Sequence, residues 1–208
     1  MAISDFASLQ TAMTSWASRS DLTALYPDFI TLGEAKINRR LRIRAMETAL
    51  SLTTVAGTAT VALPTRYVQM KSIYINADPK VKLQPVSLEQ GITMRPSSGT
   101  GEPHFFATEA DNIRFFPTPD AAYSIAGIYY ASFAGLTATN TANALLTSSP
   151  DLYLASSMYE LAKYVRDDAR MSFWAAQRED AFKDIEQQDD RDRFSGGALL
   201  IRTDTLNP

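Results

Sequence analysis

His104 is the only histidine in this 208-residue chain, and cysteine is absent. Thiolate metal sites, cysteine nucleophiles and disulfides are excluded, and so is a metal site built on several histidines. His104 stands within Pro103-His104-Phe105-Phe106, with no H-E-x-x-H spacing and no triad partners around it. That setting predicts a structural strand residue beside a turn. Carboxylates can do acid–base chemistry without histidine, and Asp167-Asp168 is the best local pair. Adjacent helical residues point in different directions, so the two do not converge on one atom. They read as a helix interruption or solvated surface, and Asp189-Asp190-Arg191-Asp192-Arg193 reads as a fraying helix end. No G-x-x-x-x-G-K-S/T, no G-x-G-x-x-G after a strand and no G-x-S-x-G occurs. Gly99-Thr100-Gly101 lies in a loop with no helix after it to cradle a phosphate. The expectation is a protein that is not an enzyme, with no catalytic, cofactor-binding or metal-binding residues and no cofactor.

Two other groups of residues point towards partners. Lys36, Arg39, Arg40, Arg42 and Arg44 crowd one segment. Facing DNA, they would release counterions from phosphates and make contacts salt-dependent. Alternatively they pair with acids within or between subunits, Glu34, Glu47 and the acidic C-terminal helix being at hand. The second group is the tail. After Gly196-Gly197 comes the apolar run Ala198, Leu199, Leu200 and Ile201, which has β character and is too short for a core helix. Disordered tails are usually polar, so this run either docks on a partner, as a strand added to a neighbour's sheet edge, or folds back on its own β domain.

The elements that must position these groups follow from periodicity. Phe6, Leu9, Met13 and Trp16 predict a first helix over about 4–18, and a second start signal stands at Ser20-Asp21. A stronger helix is predicted from about Asp28 to Thr48. Ile30, Ile37 and Leu41 form one of its apolar arcs, and Phe29, Leu32, Ile43 and Met46 a second, implying cover on two sides. From Ala49 the character turns to β. Leu50–Val55 and Thr58–Leu63 are expected to pair around Gly57, followed by Tyr67–Asn76 and an edge segment carrying Pro85. His104–Thr108 and Asn112–Phe116 flank Glu109-Ala110-Asp111 as a hairpin, and Tyr123–Phe133 is the last strand. Pro150-Asp151 then opens a helix holding Leu154, Met158, Leu161, Ala162 and Val165 on one face; the pattern resumes after Asp168 to about Gln188.

Strands in sequence without intervening helices argue for an antiparallel arrangement. The expected fold class is therefore α+β: a helical bundle formed by the N- and C-terminal helices, with an inserted antiparallel β-sandwich or barrel-like domain. Residues 1–49 and 150–193 make the discontinuous helical domain, 50–149 the β domain and 194–208 an extended tail. Charged residues make up 21%, hydrophobic ones 45%, and net charge is −3. That is the balance of a folded soluble protein and gives no global reason for nucleic-acid binding. The N-terminus lacks the basic start and apolar core of a signal peptide, and no stretch is long enough to insert into a membrane.

Gly101-Glu102-Pro103-His104-Phe105-Phe106, the run Ile113 to Asp120 and Tyr129-Tyr130 form a succession that resembles the β domain of tailed-bacteriophage head-to-tail adaptor proteins. It is similar to that of the tail tubular proteins of short-tailed phages. Leu32 to Leu41, Pro150 to Leu154, Tyr159 to Ala162, Asp167-Asp168 and Trp174 resemble the same family's helical positions, so the likeness runs from about Asp21 to Ile185. The resemblance implies a virion protein at the head–tail junction, assembled in the host cytoplasm. It implies a homo-oligomeric ring of about twelve copies, with the portal protein and the tail or nozzle proteins as partners. Double-stranded DNA would pass through non-specifically on ejection. A two-sided helix suits a closing ring, whose heterologous interface uses two different faces. The alternative is a ligand- or glycan-binding β module of a phage tail accessory protein, with Phe106, Tyr129 and Tyr130 as a stacking platform.

Overall fold

The computed structural model describes residues 2–94 and 99–193, which adopt an α+β structure. The chain divides into two compact units: residues 1–41 with 135–208, and residues 42–134. The division thus falls earlier than residues 49/50 and 149/150.

Helix α1 (Phe6–Ala17) opens on a capping box, in which the Asp5 carboxylate accepts the Ser8 amide while Ser8 Oγ accepts the Asp5 amide. Helix α2 (Tyr26–Arg40) carries Pro27 in its first turn, where no N–H is needed. It does not run to Thr48. Leu41 takes an extended conformation, φ −72° and ψ 139°, and residues 44–46 form a single 3₁₀ turn. The second apolar arc expected on this helix is therefore not one: Ile43 and Met46 are buried, but in the other unit, and Leu32 is exposed. The two-sided helix, and the support it lent to a ring, fall with it.

The second unit contains β1 (Glu47–Thr53), β2 (Thr60–Ala62), β3 (Tyr67–Ile75), β4 (Val81–Lys82), β5 (Gln84–Pro85), α3 (Leu88–Met94), β6 (Phe105–Glu109), β7 (Asn112–Phe116) and β8 (Ser124–Ala131). The strands form two sheets, ordered β1-β8-β3-β4 and β2-β7-β6-β5. β6 and β7 make the expected hairpin, with Ala110 in the left-handed region at the turn. β1 and β2 do not pair with each other. Gly57 does turn the chain, at φ +75°, but β1 pairs with β8 and β2 with β7 in the other sheet. β5 joins β6 in parallel, so the second sheet is mixed rather than antiparallel, with Pro85 on its edge as its missing N–H requires. Helix α3 interrupts the strands. It begins at Ser87, whose hydroxyl accepts the Gln90 amide. Leu50, Ile73, Ile75, Phe106, Ile113, Phe115 and Ile125 form one apolar cluster drawn from both sheets. Each such side chain contributes roughly 1.5–3 kcal/mol by leaving water.

The chain returns to the first unit through α4 (Ala144–Ser148), α5 (Pro150–Val165) and α6 (Asp168–Arg193). Every residue from Leu152 to Met158 is buried, so α5 is covered on all sides; α1, α2, α4 and α6 pack against it. Gly33 lets α2 approach closely, since a Cβ there would lie 3.2 Å from Ser156 Cβ. Arg166, in the left-handed region, ends α5, and α6 starts two residues later.

Candidate functional site

His104 is exposed ahead of β6, its amide donating to the Phe116 carbonyl. Asp167 accepts the Arg170 amide at 3.0 Å and stabilises the first turn of α6, which Asp168 opens. Asp189 pairs with Arg193 one turn on. Among the described residues no group of three or more His, Asp or Glu side chains could hold a metal ion.

The basic segment does not form one surface. Lys36 reaches Glu160, whose side chain is only 4% exposed, at 2.5 Å, and Lys163 stands 3.7 Å from the same carboxylate. Arg40 forks onto Glu179 with bonds of 2.5 and 2.9 Å, donates to Glu186 at 3.2 Å and lies over the Phe182 ring at 4.2 Å. The Arg40 guanidinium holds the Glu179 carboxyl below its ordinary range. Lys36 and Arg178 also lie over the Tyr159 ring, at 4.6 and 4.1 Å. Thus α2, α5 and α6 are tied by charge on their polar side. Arg39 donates to the Ala35 carbonyl of its own helix. Arg42 and Arg44 belong to the other unit, where Arg42 donates to Gln69 at 3.3 Å.

Glu34 is a buried carboxylate that the basic segment does not use. It accepts the Leu136 amide at 2.8 Å and the Tyr153 hydroxyl at 3.3 Å, while the Asn143 amide donates to that hydroxyl at 2.6 Å. Burial pushes the Glu34 carboxyl upward, and the two hydrogen bonds oppose the shift. A signal was present in the sequence, because Glu34 falls in line with Ile30 and Ile37 on the apolar arc of α2. A charge in such a position must find donors.

The helical unit exposes large apolar groups. Trp16 (58% exposed) meets Trp174 edge-on at 5.5 Å, and Phe173 (51%) meets Trp174 at 5.1 Å. Tyr164 and Leu32 are also more than half exposed. A cavity of about 310 Å³ lies between the end of α1 and the α5–α6 junction, floored by Leu161, Ala162 and Val165 and rimmed by Arg19 and Arg170. In the other unit, Phe106, Tyr129 and Tyr130 are all buried, Tyr129 stacking on Tyr67 at 5.8 Å. They offer no platform for a sugar ring, which overturns that part of the alternative reading. Ala198, Leu199, Leu200 and Ile201 lie outside the described residues.

Compared with known families, residues 4–202 match the SU10 adaptor protein family. The chain belongs to that family. It is a phage adaptor protein by this membership. The match begins before Asp21 and continues past Ile185, taking in α1 and the apolar run of the tail, both of which lay outside the resemblance read from sequence. No curated protein matches this adaptor. None of its helices among the described residues is long and apolar enough to cross a membrane.

Proposed function

We propose that this SU10-family adaptor is a non-enzymatic structural part of the virion that assembles into a homo-oligomeric ring, about twelve copies, at the head–tail junction. The ring binds the portal protein on one side and tail or nozzle proteins on the other. It encloses the channel through which DNA passes on ejection, and its subunits are made in the host cytoplasm. The closer likeness is to the tail tubular proteins of short-tailed phages, with the helices as a bundle and the two sheets as a sandwich.

The observation that carries this reading is the family match over residues 4–202. The exposed Trp16 and Phe173, which meet at Trp174, support it, because a cluster of exposed aromatic side chains marks a place where something docks. A net charge of −3 suits a conduit that lets DNA slide, and Lys36 and Arg40 are occupied by acids of their own unit. Native mass measurement, alone and with the cognate portal, followed by imaging of any large species, tests the proposal. A closed ring, or one formed on contact with portal, is the expected result. A monomer that ignores both portal and tail would sink it.

A further inference from the structure

Four strands lie at the sheet edges among the described residues, and three are protected. β4 and β5 are two residues long, β5 carries Pro85, and β2 has three residues. β1 is different. It has seven residues, pairs with β8 without a register shift, and contains no proline or lysine. Natural edge strands are usually shortened, bulged or charged because an open row of N–H and C=O groups recruits another strand.

The register identifies which groups are open. The Thr54 amide donates to the Tyr123 carbonyl at 3.1 Å, and on the other side of β8 the Asn76 amide donates to the Ser124 carbonyl at 2.8 Å. In an antiparallel ladder the direction alternates, so Thr48, Leu50 and Leu52 bond to β8 while the amides and carbonyls of Ala49, Ser51 and Thr53 point away from it. The side chains at those three positions are small and exposed, so among the described residues nothing bulky guards the edge. Leu50 and Leu52 face the apolar cluster, so an added strand would extend that core.

We infer that the β1 edge, through Ala49, Ser51 and Thr53, receives the Ala198–Ile201 segment of a second copy as an added strand. The segment has the required chemistry: an apolar run of β-prone sequence, preceded by Gly196-Gly197 and included in the family match that ends at residue 202. Assignment to a second copy rests on the proposed ring, in which each subunit presents one surface to the neighbour on one side and another to the neighbour opposite.

The natural absence of cysteine makes the test direct. One copy carries Ser51→Cys, and the other carries Ala198→Cys, Leu199→Cys, Leu200→Cys or Ile201→Cys in turn. The mixture is assembled with portal and oxidised. Side chains alternate along a strand, so two alternate tail positions should cross-link to the second copy at least about five-fold more than the other two. Equal cross-linking at all four positions, or none, would overturn the inference. So would cross-linking only when both cysteines share one chain, which would mean that the tail closes its own edge.

Ser51→Pro removes an N–H that the sheet does not use and should lower ring formation about ten-fold or more at unchanged thermal midpoint, as proline is tolerated on a free edge. Leu200→Asp should do the same from the other side. Rings intact in both variants would overturn the inference and leave the adaptor reading standing. Failure of the wild type to form rings or bind portal would remove both.

Discussion

The carboxylate of Glu34 accepts a hydrogen bond from the amide of Leu136 at 2.8 Å, joining residues 102 positions apart. Leu136 is the second residue after the chain leaves the β unit, so this bond fixes the point of re-entry onto α2. Glu34→Ala should leave the Leu136 amide and Tyr153 hydroxyl without their acceptor and cost about 2–3 kcal/mol, read from urea unfolding.

The same residue sets a pH dependence. Burial raises its pKa in the folded protein above the unfolded value. Its contribution is then fully favourable below the ordinary glutamate range and declines as pH rises through the raised folded pKa. Stability of the wild type measured from pH 4 to 8 should fall relative to Glu34→Gln. Parallel profiles would show that Glu34 is not the titrating group.

Glu160 is buried and answered chiefly by Lys36. Removing one partner of a fully buried pair costs roughly 3–5 kcal/mol, but Lys36 is partly exposed and its interaction is screened. Lys36→Met should therefore destabilise by about 2 kcal/mol, and Lys36→Met with Glu160→Gln should recover most of that loss. A double-mutant cycle showing no coupling would contradict the pairing.

At Gly127 in β8, an added Cβ would stand 2.1 Å from the Ser72 carbonyl oxygen, beside a break in the β3–β8 register. Gly127→Ala should cost about 3 kcal/mol, the upper part of the range for overpacking. It should appear as a lower denaturation midpoint at an unchanged slope, since the surface exposed on unfolding stays the same.

Two neighbouring tryptophans should behave oppositely. Trp174 is buried and Trp16 exposed although their rings touch. Trp174→Ala should lose about 3–5 kcal/mol of stability. Trp16→Ser should lose under about 1 kcal/mol, as surface changes do, yet weaken self-association in sedimentation.

Local chemistry made much of this fold legible. The β6–β7 hairpin follows from alternation around Glu109-Ala110-Asp111, and Pro150 marks the first turn of α5. The end of α2 was hidden because Leu41, Ile43 and Met46 keep an apolar spacing compatible with a helix, and no glycine or proline stands there. They are apolar because the extended Leu41 and Ile43 and the 3₁₀ turn ending at Met46 bury them, and tertiary packing overrides the local pattern. Strand partners were hidden for a related reason: Gly57 announces a turn but not which sheet the chain enters next. Helix α3 did have a signature, Ser87 three residues before Gln90, obscured by Gly91. In the candidate site, Arg40 forks onto Glu179 of the acidic C-terminal helix. Glu160 and Tyr159 were not singled out, because the stripe read from Leu154 to Val165 accounts for only one side of a helix that is buried on its other sides too.

The helical unit is assembled from both ends of the chain, and this has a consequence for synthesis on the ribosome. α1 and α2 emerge early, but the helix that covers them, α5, ends only at Val165. At about 5–20 residues per second, their apolar sides wait roughly 6–25 s for it. Residues 42–134 leave the ribosome complete in the meantime. A nascent chain thus completes its β unit roughly 2–6 s before α5 is there to cover α1 and α2.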